Sequence, residues 1–176
     1  MAKNIEIKAS LDDMQGCQDI AKSLSDSGPV LIHQCDTFFH CSHGRLKLRE
    51  FGDGTGELIA YSRPDQSGPK TSNYTISRTS EPDSLCLALE NSLGIRAVVT
   101  KQRLLYLAGR TRIHLDQVEG LGDFLELEVV LNDGEDGQAG VEEAHDLMEQ
   151  LKVPKESLIQ DAYVDLLERT QQDESK

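Results

Sequence analysis

Val98 to Leu131 reads VVTKQRLLYLAGRTRIHLDQVEGLGDFLELEVVL. Apolar and β-branched residues alternate with polar ones at period two, and the alternation breaks at Ala108-Gly109 and at Gly120-Leu121-Gly122. This pattern predicts three consecutive antiparallel strands. Their polar positions are charged: Lys101 and Arg103 share one face of the first strand, Arg110, Arg112, His114 and Asp116 one face of the second, and Glu126 and Glu128 one face of the third. A sheet face with cations on two strands and paired carboxylates on the next suits a polyanion held together with a divalent metal.

The composition around this stretch narrows the classes of function. With 18 Lys and Arg against 31 Asp and Glu, the net charge is -13. That balance argues against a general nucleic-acid or membrane-surface binder, and it makes the placement of the cations more informative than their number. At 176 residues the chain suits one domain with a full core. Four cysteines without a cleavable hydrophobic leader fit reduced thiols. The N-terminus MAKNIEIKAS reads as a strand, and no apolar run is long enough to cross a bilayer. A cytoplasmic protein is expected.

Upstream, Asn4 to Ala9 alternates with Asn4, Glu6 and Lys8 on one face. Ser10 is the expected N-cap of a helix with one apolar stripe, ending at Gly28-Pro29. Strands are predicted over Val30 to Cys41, Arg45 to Phe51, Glu57 to Arg63 and Lys70 to Thr79, with Arg45, Lys47 and Arg49 in one row. Pro82 opens a helix that Gly94 closes. After Leu131 come an acidic, glycine-rich loop over Asn132 to Gly140 and two helices, Val141 to Leu151 and Lys155 to Thr170, broken at Pro154. The fold class is therefore α+β, with about eight strands and four helices. Charges of mixed sign on nearly every strand suit the lumen of an eight-stranded antiparallel closed β-barrel with helices packed outside.

Lys8, Arg45, Lys47, Arg49, Arg63, Arg78, Lys101, Arg103 and Arg112 are candidate phosphate ligands, since guanidinium forks and ammonium charges are what a chain of phosphates recruits. One such row fits edge protection and solubility, but rows on at least four strands do not. Glu126 and Glu128, with Glu6 in reach if first and last strands meet, offer oxygen ligands for Mg²⁺ or Mn²⁺. His33, Cys35, His40, Cys41 and His43 crowd one hairpin without the spacing of a closed zinc site. Gly120-Leu121-Gly122 joins two strands, so it reads as a turn and not a phosphate loop.

These residues resemble the CYTH superfamily of triphosphate tunnel metalloenzymes, which includes class IV adenylyl cyclases, thiamine triphosphatases and inorganic triphosphatases. Asn4-Ile5-Glu6-Ile7-Lys8 stands where the family has Glu-x-Glu-x-Lys, Lys47-Leu48-Arg49-Glu50 resembles its first basic strand, and Arg63 falls where a lumen cation is expected. Lys101-Gln102-Arg103, Asp116, Gly120 to Phe124, Glu126-x-Glu128 and the terminal Asp161 to Leu167 are similar to the class IV cyclase-like branch. The resemblance covers nearly the whole chain, read as a single tunnel domain over 1–170 with a disordered tail over 171–176. It implies substrate binding by Arg45, Lys47, Arg49, Arg63, Arg78, Lys101, Arg103 and Arg112, metal binding by Glu6, Asp116, Glu126 and Glu128, and a catalytic pair in Glu6 and Lys8. Asn4 departs from the signature: a neutral carbonyl replaces a charged metal ligand, which bears on any second metal.

The expected function is metal-dependent hydrolysis of a triphosphate such as tripolyphosphate, ATP or thiamine triphosphate, with Mg²⁺ or Mn²⁺ as cofactor, in a monomer or homodimer without nucleic-acid or membrane partners. A class IV-type adenylyl cyclase making cAMP from ATP is the alternative. Asn4 keeps a third reading open, a polyphosphate- or nucleotide-binding module that turns over poorly.

Overall fold

Eight strands and four α-helices follow one another in the computed structural model, which describes residues 2–174. They are β1 (Ala2–Ser10), α1 (Met14–Leu24), β2 (Ser27–Phe39), β3 (Arg45–Glu50), β4 (Gly56–Ser62), β5 (Lys70–Thr79), α2 (Pro82–Leu93), β6 (Ile95–Ala108), β7 (Thr111–Val118), β8 (Gly122–Val130), α3 (Gln138–Gln150) and α4 (Tyr163–Glu174). All neighbouring strands are antiparallel, and the ring closes in the order β1-β5-β4-β3-β2-β6-β7-β8. Two meanders, β2 to β5 and β6 to β8, are joined along one side by β2 and β6 and along the other by β1, which pairs with both β5 and β8. The eight-stranded antiparallel ring expected from the charge pattern is thus present, and closure gives every strand a partner on both sides.

The outer face of β1, β7 and β8 carries the main core. Ile5, Ile7, Ile113, Leu115, Leu125 and Leu127 are each at most 1 % exposed and pack with Ala21 of α1 and Ala144 and Met148 of α3. Gly140 lets α3 approach the sheet: a Cβ there would lie 2.8 Å from Leu131 and 2.9 Å from Ile5. A second cluster, Phe38, Val99, Val118 and Phe124 with Ala162, Tyr163 and Val164, closes one end of the ring.

Several local expectations shift. The strand β1 stays paired through Ser10, opposite Phe124, so α1 starts later and Asp13 is its cap, accepting from the Gly16 N–H at 2.9 Å. That helix ends at Leu24, and Gly28-Pro29 lies inside β2 at a register shift between Ser27 and Val30, where proline withholds a ladder donor. The helix predicted from Lys155 to Thr170 is divided: only Lys155–Ser157 forms a 3₁₀ turn before an extended piece that leads to α4. Leu158 bridges to Ala9, and the Ile159 N–H donates to the Lys8 carbonyl at 2.9 Å, so pairing with β1 replaces helical bonds. The tail expected from Gln171 belongs to α4 as far as Glu174; Ser175 and Lys176 lie outside the described residues.

Candidate active site

Strand alternation sends Asn4, Glu6 and Lys8 of β1, Gln34 and Asp36 of β2, Lys47 and Arg49 of β3, and Lys101 and Arg103 of β6 into one cavity of about 410 Å³, together with Arg112 and His114 of β7 and Glu126 and Glu128 of β8. Register aligns them across strands: Glu6 stands opposite Glu128, Lys8 opposite Glu126, and Glu126 and Glu128 opposite His114 and Arg112. Tyr163, at the start of α4, plugs the closed end. Its hydroxyl donates to Asp116 at 2.9 Å, and the Lys8 and Lys101 ammoniums sit 3.8 and 4.9 Å from its ring centroid. The other end is open, with Tyr74, Ile76, Arg78, Ile32 and Leu105 at its rim.

Glu6, Glu126 and Glu128 converge, each presenting an oxygen within 4.8 Å of the others. The cost of this crowding falls on Glu6, whose pKa is raised by burial and by Glu126 and Glu128, against Arg63. Burial also opposes ionisation of Glu126, but Lys8, Arg103 and Lys101 outweigh it and hold that carboxyl well below the usual range. At Glu128, His114 and Arg112 prevail over burial in the same direction. The Arg112 Nε lies 2.8 Å from Glu128, and the Arg63 Nη1 lies 2.7 Å from Glu6 but off line for a hydrogen bond. The unpartnered Asn4 Oδ1, in a residue only 3 % exposed, faces the same lumen. Convergent carboxylates with a spare buried carbonyl are the donor set of a hard divalent cation, so these residues fit one.

Some of the cations are tethered to carboxylates and some ammoniums have their pKa depressed by burial, Lys47 and Lys101 being both. Asp36, which the sequence reading did not single out, takes the Lys47 Nζ at 2.7 Å and the Arg49 Nε and Nη2 at 2.8 Å. Asp116 takes the Arg103 fork at 2.7 Å and Lys101 at 3.3 Å. Burial, and then Arg103, pushes Lys101 down to about 7 against the pull of Asp116; burial likewise lowers Lys8 and, with Arg49, Lys47. Such ammoniums gain most from a polyanion that restores their charged form.

A model of the CYTH domain matches residues 2–163. The chain belongs to the CYTH domain family. A Methanocaldococcus jannaschii protein provisionally named an adenylate cyclase is 25 % identical over 173 residues, covering 92 % of this chain and 97 % of its own length. The same CYTH architecture recurs in a solved Pyrococcus horikoshii protein, with a TM-score of 0.81 at 20 % identity over 93 % of this chain and 98 % of that one. It recurs also in a Hippeastrum protein described as an adenylyl cyclase candidate with a dominant triphosphatase activity, with a TM-score of 0.62 at 15 % identity over 90 % and 91 %.

Within this CYTH lumen not every expected residue stands where the pattern put it. Asp116 is fully buried and lies outside the three-carboxylate group, both of its oxygens being occupied by Arg103, Lys101 and Tyr163; it acts here as a counter-ion. Arg45 lies outside the cavity lining, tied at 3.0 Å to Asp65 and Asp165, because the end of β3 meets α4. Arg78 is at the open mouth with a side chain 88 % exposed, 3.6 Å from Glu57. Arg110 falls in the turn before β7 and pairs outward with Glu135 and Glu143, so it does not share the lumen with Arg112. Lys70 was also missed: opposite Glu6 and 1 % exposed, it donates to the carbonyls of Gln66 and Gln160 at 2.9 Å, and burial lowers it to about 8. Parity alone could have found Asp36, two residues beyond Gln34 on the same strand face.

Proposed function

We propose that this protein is a metal-dependent triphosphatase acting on inorganic tripolyphosphate or on an organic triphosphate. The observation that carries this reading is the Glu6, Glu126 and Glu128 cluster set against a wall of buried cations in one closed-ended lumen. Those three carboxylates would hold Mg²⁺ or Mn²⁺, which supplies Lewis-acid polarisation of a phosphoryl oxygen and a more acidic water. Lys47, Arg49, Lys101 and Arg103 line the cavity where they neutralise charge on the phosphate oxygens, with Arg63 and Arg112 beside the carboxylates. Glu6, whose proton affinity is raised, is suited to take a proton from the attacking water, and Lys8, whose pKa is lowered by burial, to give one to the departing phosphate oxygen. No helix among the described residues is long and apolar enough to cross a membrane, in keeping with a substrate met in solution.

The name of the Methanocaldococcus relative favours a second reading, cyclisation of ATP. Tripolyphosphate, ATP and thiamine triphosphate, each supplied with Mg²⁺ and with Mn²⁺, separate the two. Release of orthophosphate supports the hydrolase, cAMP with pyrophosphate supports the cyclase, and tight association without product supports a binding module.

A further inference from the structure

The lumen face changes character along its own strands. On β6 it runs Val99, Lys101, Arg103 and Leu105, and on β2 Phe38, Asp36, Gln34 and Ile32, so charge lies between two apolar ends. Alternation continues both faces outward, to Leu107 opposite Arg112 and to Val30 opposite Leu105. At the inner end Phe38 and Val99 are buried under Ala162 and Tyr163, whereas at the mouth Val30 and Leu107 are 56 % and 41 % exposed. Tyr74 and Ile76 of β5, the latter 44 % exposed, line the mouth from the other side, since β5 and β6 stand four places apart in the ring of eight. Two arginines at this end have partners of their own, Arg112 in Glu128 at 2.7 Å and the largely exposed Arg78 in Glu57 at 3.6 Å.

Apolar residues scattered singly over a surface are ordinary, but here they face one another across the mouth of a charged cavity. A hydrated inorganic polyanion gains nothing from such a lip, because stripping water from its charges beside apolar walls costs free energy. A phosphate chain held by Lys47, Arg49, Lys101 and Arg103 has the Tyr163 plug at its inner end, so any substituent it carries leaves through the mouth. We propose that Val30, Ile32, Leu105 and Leu107, with Tyr74 and Ile76 opposite, form a subsite for an apolar organic group. The preferred substrate is then a triphosphate monoester bound with its terminal phosphate innermost, ahead of inorganic tripolyphosphate. The proposal rests on reading the charged zone as a triphosphate site.

The test measures affinity for the full chain by calorimetric titration without metal, so that no turnover intervenes. Methyl triphosphate and n-hexyl triphosphate carry the same charge and differ only in apolar surface. The hexyl ester should bind at least about tenfold tighter, which requires burial of only about two of its added methylenes. Ile76→Ser and Leu107→Ser together, both at exposed positions where a polar residue is tolerated, should bring that ratio close to one. Equal affinities for the two esters in the unaltered chain, or a ratio that survives both substitutions, overturns the proposal and leaves the triphosphate site standing. A dimer in sedimentation velocity that the same substitutions dissociate also overturns it, because a second copy then covers the lip. If neither ester nor tripolyphosphate binds, with or without Mn²⁺, the charged zone is not a triphosphate site, and the proposed function falls together with this subsite.

Discussion

Arg103 grips Asp116 through two nitrogens at 2.7 Å and reaches Glu126 through one of them at 3.0 Å. Removing it does more than delete a phosphate ligand, because Asp116 is fully buried and would lose most of its compensation. Arg103→Ala is expected to cost about 3–5 kcal/mol of folding stability as well as polyphosphate affinity, measured by urea unfolding and by calorimetric titration. Glu128→Gln differs in kind, since its partner Arg112 is one-third exposed and tolerates the loss. That variant should lower turnover about 10- to 100-fold with a far smaller change in metal-free tripolyphosphate binding, and equal losses in both would show Glu128 to be a binding residue. Lys101 supplies a pH signature. Its folded pKa of about 7 lies below the ordinary 10.5, so between those values the unfolded chain holds a proton that the folded chain lacks, and stability from this group rises with pH across that window. A bound polyanion reverses the sign by restoring the charge. Tripolyphosphate binding near pH 8 should take up protons, seen as a dependence of the binding enthalpy on buffer, and Lys101→Arg should reduce that uptake.

At the level of elements, α4 is held by its charges as much as by its apolar face. Asp165 accepts from Arg96 at 2.7 Å, from Arg45 at 3.0 Å and from the Ala162 N–H at 3.0 Å, which ties the start of the helix to β6 and β3. Arg96 also holds Glu168 at 2.8 Å. Asp165→Ala is expected to cost about 1–3 kcal/mol and to expose α4 amides to hydrogen exchange before those of β6; uniform loss of protection would mean that α4 and the ring unfold together. Elements whose limits are set by local chemistry were legible: α2 starts at Pro82 and is capped by Gly94 at φ +77°, and β5 spans Lys70–Thr79 as its alternation predicts. The stretch after Pro154 was not. It has helical spacing, but the free end of β1 offers backbone partners to Leu158 and Ile159, and tertiary pairing overrides the local preference.

Over the whole molecule an acidic exterior surrounds a lumen in which cations outnumber carboxylates, an arrangement that focuses potential inside a low-dielectric wall. Like charges held there without a ligand repel, so a polyanion that binds only the folded chain should stabilise it by RT ln(1 + [L]/Kd), about 2.7 kcal/mol at a hundredfold excess over Kd. Tripolyphosphate should raise the melting temperature more than orthophosphate at equal ionic strength, and equal shifts would count against a site shaped for a phosphate chain. The sequence by itself determined most of the strands, the face on which most of their charges lie, with Arg110 the exception, and the resemblance to the CYTH family, because alternation and turn chemistry are local properties of the chain. Only the tertiary structure decided which charges meet. The pairing of β1 with β5 and β8, and of β2 with β6, joins segments far apart in sequence, and it is this register that assigns Asp36 to Lys47 and Arg49, Asp116 to Arg103, and Arg45 to α4. Strand parity places a side chain inside or outside, whereas its partner depends on the stagger at which the ring closes.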